Sequence, residues 1–200
     1  DVIVLRTFSQ DLIDEFCRWS SCPVINGLSD LYHPCQALTD LFTIREAFGS
    51  LTDEKIVFVG DGNNVSASLA MLTSMLGLPM TLACPPGYEL PDDFMARLNE
   101  KCPDSQFTQT NDPIAAVKDA SIIYTDVWAS MGQEEEAEKR KKAFADFQVT
   151  TELLALAPAH CRFMHDLPAK RGLEVTDEAM DSPQSIVFQQ AEIRMHLAKG

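Results

Sequence analysis

The sequence has 200 residues, of which 46% are hydrophobic and 23% charged, a composition that fits one large or two small globular domains and leaves no room for a largely disordered chain. Sixteen basic residues against 30 acidic ones give a net charge of −14. That balance argues against a general nucleic-acid or anionic-membrane binder, which would need a basic surface, but two or three well-placed cations would still suffice for a small anionic substrate. The longest apolar runs fall far short of a membrane span. Cys17, Cys22, Cys35, Cys84, Cys102 and Cys161 form no CxxC pair and no metal-ligand spacing, and they read as mostly buried thiols of a cytosol-like compartment. No signal peptide is visible. The opening Asp1-Val-Ile-Val-Leu5 reads as a strand in mid-flow, so residues upstream of it are expected.

Taken in chain order, strands and helices alternate. Val2 to Leu5 is a short β-branched run, and Ser9 caps an amphipathic helix over Gln10 to Trp19. Val24 to Gly27 is a second strand. Pro34, tolerated at a first helical position, opens a long helix to about Phe48, closed by Gly49-Ser50. The stretch near Thr39 to Phe48 is the candidate connection between two domains. Lys55 to Gly60 is a continuous apolar run ending in Gly, the pattern of a buried parallel strand. A helix follows over Val65 to Leu76, then a strand at Met80 to Ala83, a helix at Pro91 to Lys101, a strand at Gln106 to Gln109 and a short helix at Pro113 to Lys118. Ser121 to Asp126 and Arg162 to His165 are strands, Glu134 to Phe147 a charged helix and Ile186 to Lys199 a terminal helix. Strands separated by helical segments imply right-handed βαβ units, a parallel sheet, and ligand loops at the strand carboxyl ends.

Four motifs lie at such ends. Gly60-Asp61-Gly62-Asn63-Asn64-Val65 begins like a dinucleotide fingerprint, but Val65 replaces its third Gly and the next strand ends in Ala83-Cys84-Pro85-Pro86 without the ribose-binding acid, which argues against an NAD-linked dehydrogenase. Asn63 and Asn64 are either caps or ligand-binding amides. His33 and Gln36 share one helix face; the positive end of the helix dipole favours a neutral imidazole there, and the pair either binds a carbonyl and an amide or caps the helix with a solvated Gln beside it. Asp126 ends a strand before Trp128, Ser130 and Met131, where a carboxylate suits an ammonium group, or where the loop simply caps the next helix. His165-Asp166-Leu167-Pro168 is the fourth, and Leu-Pro after a strand is equally an ordinary turn. The run from Glu134 to Lys142 reads as purely structural, with acids preceding bases at i, i+4, which suits both side-chain pairing and the helix dipole.

Together, Asn26 to Gln36, Gly60 to Asn64, Asp126 to Glu136, His165 to Pro168, Ser185 to Phe188 and Ala191 to Arg194 resemble, in order and spacing, the ornithine carbamoyltransferase family over nearly the whole chain. The resemblance implies an α/β fold: residues 1–46 as the C-terminal part of a carbamoyl-phosphate-binding domain with its connecting helix, 47–185 as a Rossmann-like, parallel-sheet ornithine-binding domain, and 186–200 as the start of a helix packing back on the first. It implies carbamoyl transfer from carbamoyl phosphate to the δ-amine of L-ornithine, with no metal or organic cofactor, in a cytoplasmic homotrimer. By motif match, Arg6, His33, Gln36 and Arg194 would hold carbamoyl phosphate. Asn64, Asp126, Ser130 and Met131 would hold ornithine, with Asp166 and Leu167 meeting both; Arg6, His33 and Asp166 would be catalytic. Two departures stand beside it. The family's Ser-Thr-Arg-Thr phosphate loop is absent, so these 200 residues alone are expected to have little activity. Asp166 also stands where the family has Cys, and it is expected to lower turnover or alter the choice of amine. A transcarbamoylase for another amine such as putrescine, and a catalytically silent binding subunit, are the alternatives.

Overall fold

The computed structural model describes residues 1–129 and 136–199. Its first part is a small βαβ unit: β1 (Ile3–Arg6) and β2 (Val24–Leu28) pair in parallel, joined by α1 (Gln10–Trp19). Then α2 (Pro34–Phe48) starts with Pro34 in its first turn and ends at Gly49, whose φ of 78° is the left-handed conformation that glycine adopts without steric cost.

The second part is a five-stranded, all-parallel sheet in the order β5-β4-β3-β6-β7, built from β3 (Ile56–Val59), β4 (Met80–Ala83), β5 (Phe107–Thr110), β6 (Ile122–Thr125) and β7 (Arg162–His165). Between the strands run α3 (Asn64–Met75), α4 (Asp92–Lys101), α5 (Pro113–Ala116), α6 (Ala137–Ala143) and α7 (Thr151–Ala155), followed by α8 (Asp177–Met180) and α9 (Val187–Leu197). This is the α/β, Rossmann-like arrangement expected from the alternation of elements. Because successive side chains on a strand point to opposite faces, β3 feeds two cores. Ile56 and Phe58 pack with Ile44, Leu69, Leu82 and Tyr124 on one face. Val57 and Val59 pack with Ile123, Phe144, Phe147 and Phe163 on the other. Burial on both faces is why β3 is apolar throughout.

The chain leaves β3 toward β5 on one side and returns beyond it to β6 and β7. The reversal lies between β3 and β6, and the carboxyl ends of those strands open onto a crevice, the place where such sheets bind ligands. Gly62 holds one wall of it. Its N–H donates to the Tyr88 carbonyl at 2.8 Å, and a Cβ at Gly62 would lie 2.6 Å from the Glu89 carbonyl carbon, so only glycine lets the two loops approach this closely.

Three expectations change. The charged helix is shorter than the 134–147 span read from the sequence: α6 ends at Ala143 and a 3₁₀ turn covers Ala145–Phe147, while 134 and 135 lie outside the described residues. The helices α7 and α8, five and four residues long, went unread because so few residues carry no periodic signal. The thiols are buried at Cys84, Cys102 and Cys161 only; Cys22 and Cys35 are partly covered and Cys17 is exposed. Among the described residues, no helix is long and apolar enough to cross a membrane.

Gly62→Ala should destabilise the fold by about 1–3 kcal/mol through overpacking against fixed backbone, read as a lower denaturation midpoint at unchanged slope. An unchanged midpoint would show that the Gly62 approach imposes no constraint.

Candidate functional site

A cleft of about 800 Å³ lies between the first part of the chain and the carboxyl ends of the large sheet. Its wall includes Arg6 from the end of β1, His33 before α2, Asn64 at the start of α3, Asp126 after β6, Asp166 and Leu167 after β7, and Arg194 from α9. These are residues that sequence reasoning singled out, brought together from six elements.

One group on the cleft wall is cationic. Arg194 Nη2 lies 3.2 Å from His33 Nε2, and among the described residues neither Arg6 nor Arg194 forms an ion pair. His33 is 3% exposed. Burial, with Arg194 and then Arg6 beside it, lowers its pKa to about 4, so the imidazole is neutral at physiological pH. The neutrality was expected, but from the helix dipole; burial and the two guanidiniums are the observed cause. A neutral imidazole also leaves Nε2 as an acceptor for the Arg194 N–H when the proton sits on Nδ1. Two guanidiniums without carboxylate partners on the wall of a cleft make an anion site.

Gln36 does not share that wall. Its Nε2 donates to Asp40 Oδ1 at 2.8 Å inside the α2–α9 contact, and Gln190 Nε2 donates to the same oxygen at 2.7 Å. Burial pushes Asp40 up to about 7 against the pull of these hydrogen bonds. Gln36 is therefore a buried amide, neither a solvated residue nor, as placed here, one facing the cleft.

A second group is acidic. Asp126 Oδ2 accepts from Asn63 Nδ2 at 2.7 Å and its Oδ1 from the Val127 N–H at 2.6 Å. Asn63 also caps α3, its Oδ1 accepting from the Val65 and Ser66 N–H groups at 3.0 Å each. Asn64 is not a cap; its Nδ2 donates to the Ser29 carbonyl at 2.7 Å, tying α3 to the first part of the chain. Asp166 sits beside Asp126, and burial, then the Asp126 charge, push its carboxyl well above the usual range. Oxygens of Asp126 and Asp166 and a His165 ring nitrogen lie within 4.8 Å of one another. Such a set resembles a metal site, but His165 Nδ1 already accepts the Leu167 N–H at 2.9 Å and Nε2 faces Glu174 Oε1 at 3.3 Å, so the ring has no lone pair to give. Ser130 and Met131, the other residues named beside Asp126, lie outside the described residues.

Within the run from Glu134 to Lys142, read as structural with i, i+4 pairing, Arg140 finds its main partner outside the helix. That side chain is 9% exposed and bonds Asp61 Oδ2 at 2.7 Å, with a second contact to the Trp128 carbonyl at 3.0 Å. It also lies over the Tyr88 ring. The i, i+4 partner Glu136 is a secondary contact at 3.4 Å. Arg140 thus fastens α6 to the turn after β3. No local pattern pairs it with Asp61, 79 positions away; the sole sequence cue was an acid inside the glycine-rich turn.

With this geometry in hand, comparison with known proteins is informative. The aspartate/ornithine carbamoyltransferase Asp/Orn-binding domain family matches residues 52–200, and the carbamoyl-P-binding domain of the same proteins matches residues 1–46. The chain belongs to the aspartate/ornithine carbamoyltransferase family. It is 51% identical over 202 residues to the ornithine carbamoyltransferase of Caldicellulosiruptor saccharolyticus, covering all of this chain and 66% of that protein. It is 48% identical over 203 residues to the anabolic ornithine carbamoyltransferase of Pyrococcus furiosus, covering 64% of it. The solved ornithine carbamoyltransferase structure from Pyrococcus furiosus superposes with a TM-score of 0.93 at 47% identity, again covering all of this chain and 64% of that one. The chain therefore spans just under two thirds of the length of these family members.

Removing one partner of the buried Arg140–Asp61 pair should cost about 3–5 kcal/mol. Arg140→Met and Asp61→Leu made together should restore most of it in urea denaturation. Additive losses would show that the two side chains do not act as a pair.

Proposed function

We propose that this chain supplies the ornithine-binding domain and part of the carbamoyl-phosphate site of an enzyme that carbamoylates the δ-amine of L-ornithine, releasing L-citrulline and phosphate. The single observation that carries this reading is the make-up of the cleft wall: Arg6 and Arg194 beside a neutral His33, neither in an ion pair among the described residues, together with the buried carboxyls of Asp126 and Asp166. A dianionic acyl phosphate suits the guanidiniums and an ammonium-bearing amino acid the carboxyls. The division at residues 46 and 47 belongs to the same proposal and is supported by the separate domain matches; the return of the segment 186–200 to the first part is supported by the contacts of α9 with Asp40 and His33.

In this reading Arg6 and Arg194 hold the phosphate group of carbamoyl phosphate. His33, its proton on Nε2 once Arg194 turns to the phosphate, donates to the carbamoyl oxygen. When the uncharged amine attacks the carbonyl carbon, a tetrahedral oxyanion forms, and His33 and Arg6 stabilise the charge as it develops, the logic of an oxyanion hole. The C–O bond to phosphate then breaks, and phosphate leaves held by the cations, accepting the proton that the attacking nitrogen sheds. Asp126 fixes the α-ammonium so that the δ-amine is aimed at the carbon. Asn64 joins the two halves at the ornithine subsite, which Ser130, Met131 and Leu167 complete by motif match. Gln36 acts through Asp40 and not by touching substrate. The proposal extends to a homotrimer in the cytoplasm; a role in arginine synthesis is supported by the anabolic designation of the Pyrococcus furiosus relative.

The full-length protein given carbamoyl phosphate and L-ornithine should form citrulline, and Asp126→Asn should raise KM for ornithine about 10- to 100-fold, the loss of one charge-assisted contact. Absence of citrulline would overturn the proposal. An unchanged KM would remove Asp126 from ornithine binding.

A further inference from the structure

The strands β6 and β7 pair in parallel with Thr125 opposite His165. The next residue on each is an aspartate, and neighbouring strands lie only about 4.8 Å apart. The register therefore forces Asp126 and Asp166 side by side. They differ in how they are satisfied. Both Asp126 oxygens accept hydrogen bonds, from Asn63 and the Val127 N–H. Asp166 Oδ1 is buried without a partner, its side chain is only 10% exposed, and the residue lines the cleft.

The surroundings offer no ready counter-charge. Asp166 faces Asp126 and, from α2, Asp40. Tyr124 of β6 is buried among the three carboxyls. His165 faces Asp126 from β7, but its Nδ1, 3.5 Å from Asp166 Oδ1, is occupied by the Leu167 N–H. Asp61, from the turn after β3, adds a further acid near Asp126, itself paired with Arg140. Arg194 of α9 acts on Asp40. Two carboxylates held this close in a site of low dielectric cannot both ionise.

We propose that Asp126 and Asp166 form one acid pair that shares a single proton in the ligand-free protein and releases it to solvent when a primary ammonium seats against them. The exchange balances: a carboxyl and a carboxylate plus one ammonium become two carboxylates bridged by that ammonium, and one proton passes to the buffer. No covalent bond is made or broken. Asp166 is then a specificity-determining residue, because an acylated, uncharged amine cannot take the proton's place. The inference rests on the ornithine reading and deepens it. The burial that raises the Asp166 carboxyl supports it.

The test uses the full-length protein with carbamoyl phosphate present and L-norvaline as the probe, which carries the α-ammonium and carboxylate of ornithine but no side-chain amine and so does not turn over. Calorimetric titration at pH 7 in two buffers of different ionisation enthalpy counts the protons exchanged on binding. Close to one proton should be released per site, and the Kd should fall about tenfold per pH unit between pH 6 and 7. In Asp166→Asn, which keeps the size and the donor, proton release should drop to near zero and the Kd should lose that pH slope. Norvaline binding to the native protein without proton release overturns the acid pair while leaving the ornithine reading intact. So does equal release by native protein and Asp166→Asn, since the proton would then come from another group. The native measurement decides even if the variant does not fold. Failure to bind norvaline together with failure to form citrulline overturns both.

Discussion

The cleft depends on one contact between helices far apart in the sequence. Gln190 of α9 donates to Asp40 of α2 at 2.7 Å across 150 positions. One helical turn further on the same face of α9, Arg194 reaches His33 just before α2. The first contact is buried and polar, so it holds only when its donors and acceptors meet in one geometry. Gln36 and Tyr124 complete it: Gln36 shares the Asp40 oxygen, and the Gln190 amide lies 3.2 Å from the Tyr124 hydroxyl. The helix contact that closes the core thereby sets where the cationic group of the site stands relative to the sheet.

Net charge says little about such a site. The chain carries −14 overall, yet its cleft wall carries unpaired guanidiniums as well as clustered carboxyls. Local placement achieves this. Arg6 ends a strand, Arg194 rides on α9, and the acids follow the paired strands β6 and β7. In a partly enclosed cleft each charge acts at short range with little screening. The same closeness holds His33 neutral and keeps a proton in the acidic group. The protonation states that the chemistry uses thus follow from burial and neighbours and not from the residue types alone.

Much of the fold was legible because it is written in local patterns. Lys55 to Gly60 could be nothing but a buried strand, Pro34 marks a helix start, and strand-end glycines mark the loops. His33, Asn64, Asp126, Asp166 and Leu167 stand in motifs legible in the sequence, Arg6 and Arg194 were implied only by the family resemblance, and all of them line the cleft. What could not be read were partners joined only by tertiary packing. Arg140 sits in a run whose i, i+4 pattern offers only Glu136 as its partner until Asp61 is placed opposite it. Gln36 looks like a companion of His33 on one face until Asp40 and Gln190 claim its amide region. The pairing of Asp126 with Asp166 follows from strand order and register, which no spacing within the chain reveals.

The central claim is that α9 brings Arg194 against a buried His33 and so fixes its protonation state. An NMR titration of the His33 Cε1–H in the full-length protein tests it directly. The account predicts a midpoint at about 4, moving upward when Arg194 is replaced by Met; a native midpoint near the ordinary 6.5 would contradict it.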